Sequence, residues 1–367
     1  MSLAQRYRAV HRTGQDCRVT SARNLLELYG YRHSYATVQG LSSSFFFTYR
    51  KSFSPLDKLT FRGGNLCKYF WPVSGQRMDV LENLAYLFNA SLIVREDQTS
   101  DEAEADMLTY IRAGLPVMVA ISRHALATHL KKEYGYPPFF RGMRFGGHFV
   151  MVVEADEARR VATIFDTDHQ EVIELPFDVL AKVRCEGDGD PDCFLQSRNR
   201  WAVFLPAGSV PSIKQAMASS LVRVVHNFRS AAKDPACTGG MTGLVAFCRE
   251  VPSWQELAAD DVDKLRATIF MMCMQSELIS GGSLGRRPFG VFLRQAGEAM
   301  RESRILEAAS HYAELTELWK KLFRILEIHV MQSDEVKSLR TPEVLNMLSH
   351  ISDHEFAAFS KLEDSMI

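Results

Sequence analysis

The chain has 367 residues, of which 46% are hydrophobic and 24% are charged, and its formal net charge is −1. These values are typical of a soluble globular protein, and the length predicts two domains. The sequence shows no basic block, no run of about 18 apolar residues and no signal-peptide core, so we expect a cytoplasmic protein with neither nucleic-acid nor membrane partners.

The first notable element is a cysteine at the start of an amphipathic helix, in "GQDCRVTSARNLLELYGY". Apolar residues then recur at three- and four-residue steps, which predicts one buried stripe, and Gly30 is placed to end the helix. Cys17 precedes the stripe, where unpaired backbone N–H groups and the helix dipole stabilise a thiolate. Cys17 is therefore either a nucleophile or a small, half-buried residue at a helix end.

The seven cysteines form no CxxC pair, which argues against a disulfide framework or a zinc ribbon.

Helices and then strands follow up to about residue 207. "VQGLSSSFFFTYR" predicts a loop and a short strand, and "RMDVLENLAYLFNA" and "DEAEADMLTYIRAG" predict two helices. Segments rich in β-branched and apolar residues then predict five strands: "PVMVAIS", "HFVMVVEA", "RVATIF", "EVIEL" and "RWAVFL". Helices followed by an antiparallel meander indicate an α+β fold.

A domain boundary is predicted in "PAGSVPS", Pro206 to Ser212, which is rich in turn residues. Almost everything beyond it is typical of helices. The sequence therefore predicts an α+β domain at 1–207 and an all-α domain at 208–367.

A nucleophilic cysteine needs a base, and the base needs an orienting partner. His148 is the best candidate base because it follows two glycines and opens a buried strand. A hairpin turning near Asp156–Arg159 places His148 opposite Asp166, about 4.5–5.5 Å apart at Cβ. Asp166 could then fix the imidazole tautomer that faces the thiol. The alternative is a partly solvated histidine, and a register slip would bring Asp168 into place of Asp166.

The other histidines compete poorly for this role. His124 and His129 are five residues apart, a poor spacing for metal ligands. His226, His311 and His329 lie in the helical half without partners at a useful spacing, and His169 lies close to Asp166 in sequence.

Two glycine-containing segments are predicted to be loops. "EGDGDPD", Glu186 to Asp192, lacks the glycine and glutamate that a calcium loop requires, so a surface turn is expected. "SGGSLGRRPFG" lacks both GxGxxG and the GKS/T of a phosphate loop. We expect a flexible interhelical loop there, in which Arg286 and Arg287 could attract an acidic partner.

Several segments together resemble the N-terminal domain of the butirosin biosynthesis protein H family. They are "DCRVTSARNLLELYGYRHSYATVQGLSSSFFFTY", "IRAGLPVMVAIS" and "GGHFVMVVEAD…ATIFD". In the second half, "RRPFGVFLRQAGEAM" and "AASHYAELTELWKKL" resemble the helical domain that commonly follows in such proteins. The resemblance spans nearly the whole chain.

The resemblance implies a papain-like or bacteriocin-leader-peptidase-like core, in which a helix carrying the cysteine packs on an antiparallel sheet. It implies Cys17 as nucleophile, His148 as base and Asp166 as orienting residue. Papain-like enzymes often place an oxyanion-hole glutamine several residues before the cysteine. Here His11 occupies that place and Gln15 lies two residues before Cys17, so both are candidates beside the Cys17 backbone N–H.

The family's namesake moves an aminoacyl group from an acyl carrier protein onto an aminoglycoside amine. The resemblance therefore implies an acyltransferase of natural-product biosynthesis that forms an amide through a cysteine acyl-enzyme. Its partners would be an acyl carrier protein, whose phosphopantetheine arm is the donor, and a small amine, with no bound cofactor and no metal. A cysteine peptidase, amidase or thioesterase using the same triad is the alternative, and a non-catalytic binding protein is a third. The apolar helices of the second domain could form a homodimer interface.

Overall fold

The computed structural model describes most of the chain, in two compact units. The described ranges are 1–50, 73–76, 80–131, 146–188, 196–206, 211–230, 237–258, 262–280, 282–332 and 336–366. The helices are α1 Leu3–Val10, α2 Cys17–Leu28, α3 Tyr35–Leu41, α4 Val80–Leu87, α5 Ser100–Arg112, α6 Arg123–Leu130, α7 Phe177–Cys185, α8 Ile213–Arg229, α9 Gly240–Glu250, α10 Trp254–Leu257, α11 Val262–Ser280, α12 Arg286–Met300, α13 Ser303–Val330 and α14 Pro342–Asp364. The strands are β1 Phe45–Arg50, β2 Val73–Gln76, β3 Ala90–Arg95, β4 Val117–Ile121, β5 His148–Asp156, β6 Val161–Asp166, β7 Val172–Pro176, β8 Trp201–Pro206 and β9 Cys237–Gly239.

The first unit contains a six-stranded antiparallel sheet in the order β3-β8-β4-β5-β6-β7. The predicted α+β class with an antiparallel sheet is confirmed. The predicted meander holds from β4 to β7, but β8 crosses back to pair with β4 and β3 after helix α7. Every residue of β4 and the first six residues of β5 are buried, because this sheet is packed on both faces at its centre.

The two units are interleaved in sequence, whereas the predicted domains 1–207 and 208–367 are continuous. Elements α3, β1, β2 and α4 belong to the second unit together with the chain from 211 onward. Aromatic packing explains this, since Phe45 lies 3.9 Å from Phe289 between ring centroids and Phe47 lies 5.8 Å from Trp319.

The second unit is mainly helical, as predicted, but it is not all-α. It also contains a three-stranded antiparallel sheet in the order β2-β1-β9. This sheet was not predicted because β9 has three residues and its partner strand lies far away in the chain.

The expectation for "SGGSLGRRPFG" is wrong at Arg286. This residue begins α12 and is fully buried, with its Nε donating to Glu355 at 2.7 Å and its Nη1 donating to the Leu284 carbonyl at 2.8 Å. Its guanidinium lies 5.1 to 5.3 Å from the ring centroids of Phe45, Phe47 and Trp319. A buried, paired arginine cannot recruit an acidic partner, although Arg287 beside it is exposed.

Some sequence predictions fall largely outside the described residues. The acidic turn at Glu186–Asp192 lies mostly outside them, as does the central part of the predicted boundary at Pro206–Ser212. Within the described part of the chain, no helix combines the length and apolar character needed to cross a membrane.

Candidate active site

Helix α2 begins at Cys17, as predicted, and its first turn is held by the preceding aspartate. The Asp16 carboxylate accepts hydrogen bonds from the backbone N–H groups of Arg18 and Val19, at 2.9 and 3.3 Å. This cap uses the second and third amides of the helix but not the first. The N–H of Cys17 itself therefore stays available as a donor to a bound group.

Asp16 is buried yet charged. Burial by itself raises the pKa of this carboxyl, but the Arg18 guanidinium and the two backbone donors outweigh burial, so the pKa is lowered. Arg18 Nη2 lies 2.7 Å from the Asp16 carboxylate. The negative charge beside the thiol is thus already compensated by an arginine.

We expect Asp16→Ala to lower the free energy of unfolding by about 0.5–2 kcal/mol, since it removes a helix cap. The loss should lie toward the upper end because Arg18 also loses its partner. Urea denaturation measures this, with Asp16→Asn expected to retain most of the stability because asparagine also caps helices. Thr99→Ala, which removes the cap of α5 in the same unit, is the matched control. An Asp16→Ala loss smaller than that of Thr99→Ala would contradict the additional role of Arg18.

His148 is the first residue of β5 and is almost fully buried. Its Nε2 lies 2.7 Å from Asp166 Oδ1, at the end of β6. The predicted register is wrong by two residues, because Asp166 lies opposite Val150. The turn between the strands contains residues 157–160, so Asp156 pairs with Val161. An irregularity between Val152 and Glu154 then changes the pairing by one further residue. Residues two apart share a sheet face, so Asp166 still reaches His148 diagonally.

The cysteine and the histidine meet although they come from separate elements. The Cys17 thiol donates to the carbonyl oxygen of Gly147, the residue before His148, at 3.9 Å, and the Cys17 side chain is near enough to raise the pKa of His148. Because Nε2 faces Asp166, Nδ1 is the ring nitrogen left for the thiol. The buried hydroxyl of Ser197 donates to the Gly146 carbonyl at 2.9 Å, which fixes the segment before His148.

The electrostatics of this site favour a protonated histidine. Burial lowers the pKa of His148, but the carboxylates of Asp166 and Asp168, the hydrogen bond that Asp166 accepts from the ring and the neighbouring Cys17 side chain raise it well above its usual value. The pKa of Asp166 is lowered for the reciprocal reason, although burial opposes this. In cysteine-dependent enzymes, a protonated histidine beside the cysteine favours the thiolate, which is the nucleophilic form.

Asp168, the alternative orienting residue, also lies in the site. Its Oδ2 is 3.7 Å from His148 Nε2 and 2.5 Å from Arg123 Nη2. Its backbone N–H donates to Asp166 Oδ1 at 2.9 Å. Arg123 was not predicted, because nothing in the local sequence around it indicates a contact with a residue after β6.

His148, Asp166 and Asp168 form a cluster whose ligand atoms lie within 4.8 Å of one another, the only such group of three among the described residues. Both carboxylates of this cluster are already paired with groups of the protein. Asp166 Oδ1 is bonded to His148 Nε2 and accepts from the Asp168 N–H, and Asp168 Oδ2 is paired with the Arg123 guanidinium.

The two candidate oxyanion residues differ in their surroundings. His11 is buried, its Nε2 lies 2.7 Å from the His169 carbonyl oxygen and its Nδ1 lies 3.5 Å from Asn24 Nδ2. Since both ring nitrogens of His11 form hydrogen bonds within the protein, His11 is not placed to bind an oxyanion. Gln15 is exposed on the loop before α2 and remains a prediction.

The expectation that His311 lacks a partner is wrong. Its Nδ1 lies 3.1 Å from Nδ1 of His354, and His354 Nε2 lies 3.3 Å from Glu314. His354 was not singled out from the sequence, because the two histidines lie on different helices of the second unit.

An antiparallel sheet that carries a histidine–aspartate pair beside a cysteine at a helix start defines an α+β protein with a candidate cysteine-dependent site. Residues 16–167 match the family described as butirosin biosynthesis protein H, N-terminal, and residues 180–362 match a domain of unknown function, DUF4872. The N-terminal part of the chain matches this family over residues 16–167, and the resemblance drawn from the sequence is confirmed there. No curated protein matches the chain.

Proposed function

We propose that this protein is an acyltransferase in which Cys17 takes an acyl group from an acyl-carrier-protein thioester and passes it to an amine. The family is named for a biosynthetic protein, which favours a biosynthetic transferase. The observation that carries the proposal is the placement of Cys17, at the start of a helix and bonded to the Gly147 carbonyl, beside a His148 that is hydrogen-bonded to Asp166. The amine acceptor would be a small molecule, and the reaction would take place in the cytoplasm.

The first half-reaction forms the acyl-enzyme. The Cys17 thiolate attacks the thioester carbonyl of the phosphopantetheine arm, and the new Sγ–C bond forms as negative charge develops on the carbonyl oxygen. The Cys17 N–H, left free by the Asp16 cap, is placed to donate to that oxygen. The C–S bond to the phosphopantetheine sulfur then breaks, and the imidazolium of His148 supplies the proton to the leaving thiolate.

The second half-reaction releases the amide. The neutral His148 accepts a proton from the attacking amine, the new C–N bond forms, and the C–S bond to Cys17 breaks to restore the thiolate. Asp166 keeps the imidazole in one orientation through both steps. Exchange of one thioester for another is nearly balanced in energy, so formation of the amide drives the overall reaction.

The proposed core is papain-like. In support, α2 packs against β5, so the helix that begins with the cysteine lies against the strand that begins with the histidine. The same geometry would serve a hydrolase if water replaced the amine.

Intact-protein mass spectrometry after brief exposure to a panel of acyl-carrier-protein thioesters tests the proposal. We expect an acyl adduct on the wild type and none on Cys17→Ala, with discharge accelerated by an amine. Cys185→Ala is the matched control, because Cys185 is another half-buried free thiol of the same unit. Burial raises the pKa of the Cys248 and Cys273 thiols to about 12, so these should stay unlabelled.

Two outcomes would contradict the transferase. Discharge by water at the same rate with and without the amine would assign the site to a hydrolase. An adduct that persists in Cys17→Ala would show that Cys17 is not the nucleophile.

A further inference from the structure

Arg123, His148 and Asp168 lie at or just beyond the ends of three adjacent strands, β4, β5 and β6, on the same end of the sheet. Ile121, the last residue of β4, pairs with His148, the first residue of β5. Arg123 follows two residues later and opens α6, and Asp168 lies two residues after the end of β6. Antiparallel pairing therefore brings an arginine and a second aspartate to the histidine.

The start of α6 is firmly held, so Arg123 is not a loosely placed surface residue. The fully buried Ser122 caps the helix by accepting from the Ala125 N–H at 3.2 Å, and its hydroxyl donates to Glu186 at 2.6 Å. The Ser122 N–H also donates to the Val183 carbonyl at 2.7 Å. These contacts fix the backbone from which the Arg123 guanidinium reaches Asp168 at 2.5 Å.

Asp168 acts on the histidine by two routes. Its carboxylate lies 3.7 Å from His148 Nε2, and its backbone N–H donates to the Asp166 oxygen that His148 also contacts. Orientation of Asp166 is thus coupled to the position of Asp168, which in turn is paired with Arg123.

Titratable and charged groups face the histidine from several elements. Asp166, Asp168 and Cys17 face His148, and the Arg123 guanidinium faces Asp168. His169 lowers the pKa of Asp166, and Asp166 in turn raises the pKa of the nearby His11. The imidazolium and the guanidinium offset the charges of the two aspartates, before any charge on Cys17 is counted.

We infer that the Arg123–Asp168 ion pair is a positioning element that sets how strongly His148 holds its proton. This inference rests on the proposed role of His148 as the acid and base of the transfer. Asp168 strengthens the hold of His148 on its proton by adding a negative charge, and Arg123 limits that effect by neutralising the same carboxylate. The pair would thereby set the pH range in which the histidine can both donate and accept a proton.

Removing either partner should therefore shift the titration of His148 in opposite directions. Asp168→Asn removes a carboxylate close to Nε2, so the midpoint should fall by about one pH unit, a tenfold change in proton affinity. Arg123→Gln leaves the Asp168 carboxylate uncompensated, so the midpoint should rise. The double variant should lie between the two single variants.

The measurement is the pH dependence of the His148 ring signal in carbon-13 NMR of histidine-labelled protein, assigned by its loss in His148→Gln. The alkaline limb of acyl-enzyme formation should shift in the same sense for each variant. Arg112→Gln is the matched control, because Arg112 forms an exposed ion pair with Glu157 in the same unit. It should leave the midpoint unchanged.

Shifts of the same sign in both variants, or no shift in either, would overturn the inference and leave the pair a merely structural role. The ring titration is read without any acyl donor, so it gives its answer even if no thioester acylates Cys17. Absence of an acyl adduct would instead count against the proposed function.

Discussion

Replacement of His148 by glutamine should reduce the rate at which Cys17 is acylated by about 10²- to 10⁴-fold, which is the usual contribution of a general acid–base residue. The proposed acid and base beside Cys17 would be lost, and with it the proton donor for the leaving thiol. Mass spectrometry of the acyl adduct in samples quenched at successive times measures the rate. Iodoacetamide labelling of Cys17 measures thiol reactivity without an acyl donor.

Glutamine is chosen because its amide can still donate to Asp166. A buried carboxylate without any donor would destabilise the fold and would confuse loss of chemistry with loss of structure. His33→Gln is the matched control, since His33 is a half-buried histidine of the same unit that packs near Phe88. A His148→Gln variant that acylates as fast as the wild type would remove His148 from the mechanism.

Local sequence patterns predicted much of the first unit. The start of α2 could be predicted because a capping aspartate precedes a helical stripe, and Gly30 adopts the left-handed conformation, with φ of 92°, that ends the helix. Strands β4 to β7 could be predicted because apolar and β-branched runs alternate with polar turns. His148 and Asp166 were paired correctly even though the register was not, because a shift of two residues keeps both on the same face.

Contacts between distant segments could not be predicted from local sequence patterns. Nothing around Arg123 indicates that it meets Asp168, since the contact depends on the pairing of β4 with β5 and of β5 with β6. Pairing of β1 with Cys237–Gly239 is equally non-local. The two-residue error in the hairpin arose from the turn length and from one local irregularity, neither of which has a clear sequence signal.

Arg286 is the clearest case in which burial reversed an expectation. A stretch of glycines, serines and arginines is typical of an exposed loop, and the partner Glu355 lies 69 residues further along the chain. The aromatic rings of Phe45, Phe47 and Trp319 enclose the guanidinium, and two of those rings come from β1. The pair therefore depends on the same non-local packing that places β1 in the second unit.

Breaking that buried pair should strongly destabilise the second unit. Glu355→Gln leaves the Arg286 charge buried without its counter-ion, and we expect a loss of about 3–5 kcal/mol in the free energy of unfolding. Trp319 donates to the same Glu355 oxygen at 3.3 Å, so its fluorescence during urea denaturation reports on this centre. Glu256→Gln is the matched control, because its ion pair with Arg340 is exposed and should contribute at most about 1 kcal/mol.

The double variant Arg286→Met/Glu355→Leu separates the cost of an unpaired charge from the value of the pair. If the large loss in Glu355→Gln comes from the stranded guanidinium, the double variant should recover most of the stability, because apolar groups replace both charges. A double variant as unstable as Glu355→Gln would instead show that the pair stabilises the second unit more than apolar packing of the same site would. The pair would do so together with the bond that Arg286 donates to the Leu284 carbonyl and the bond that Glu355 accepts from Trp319.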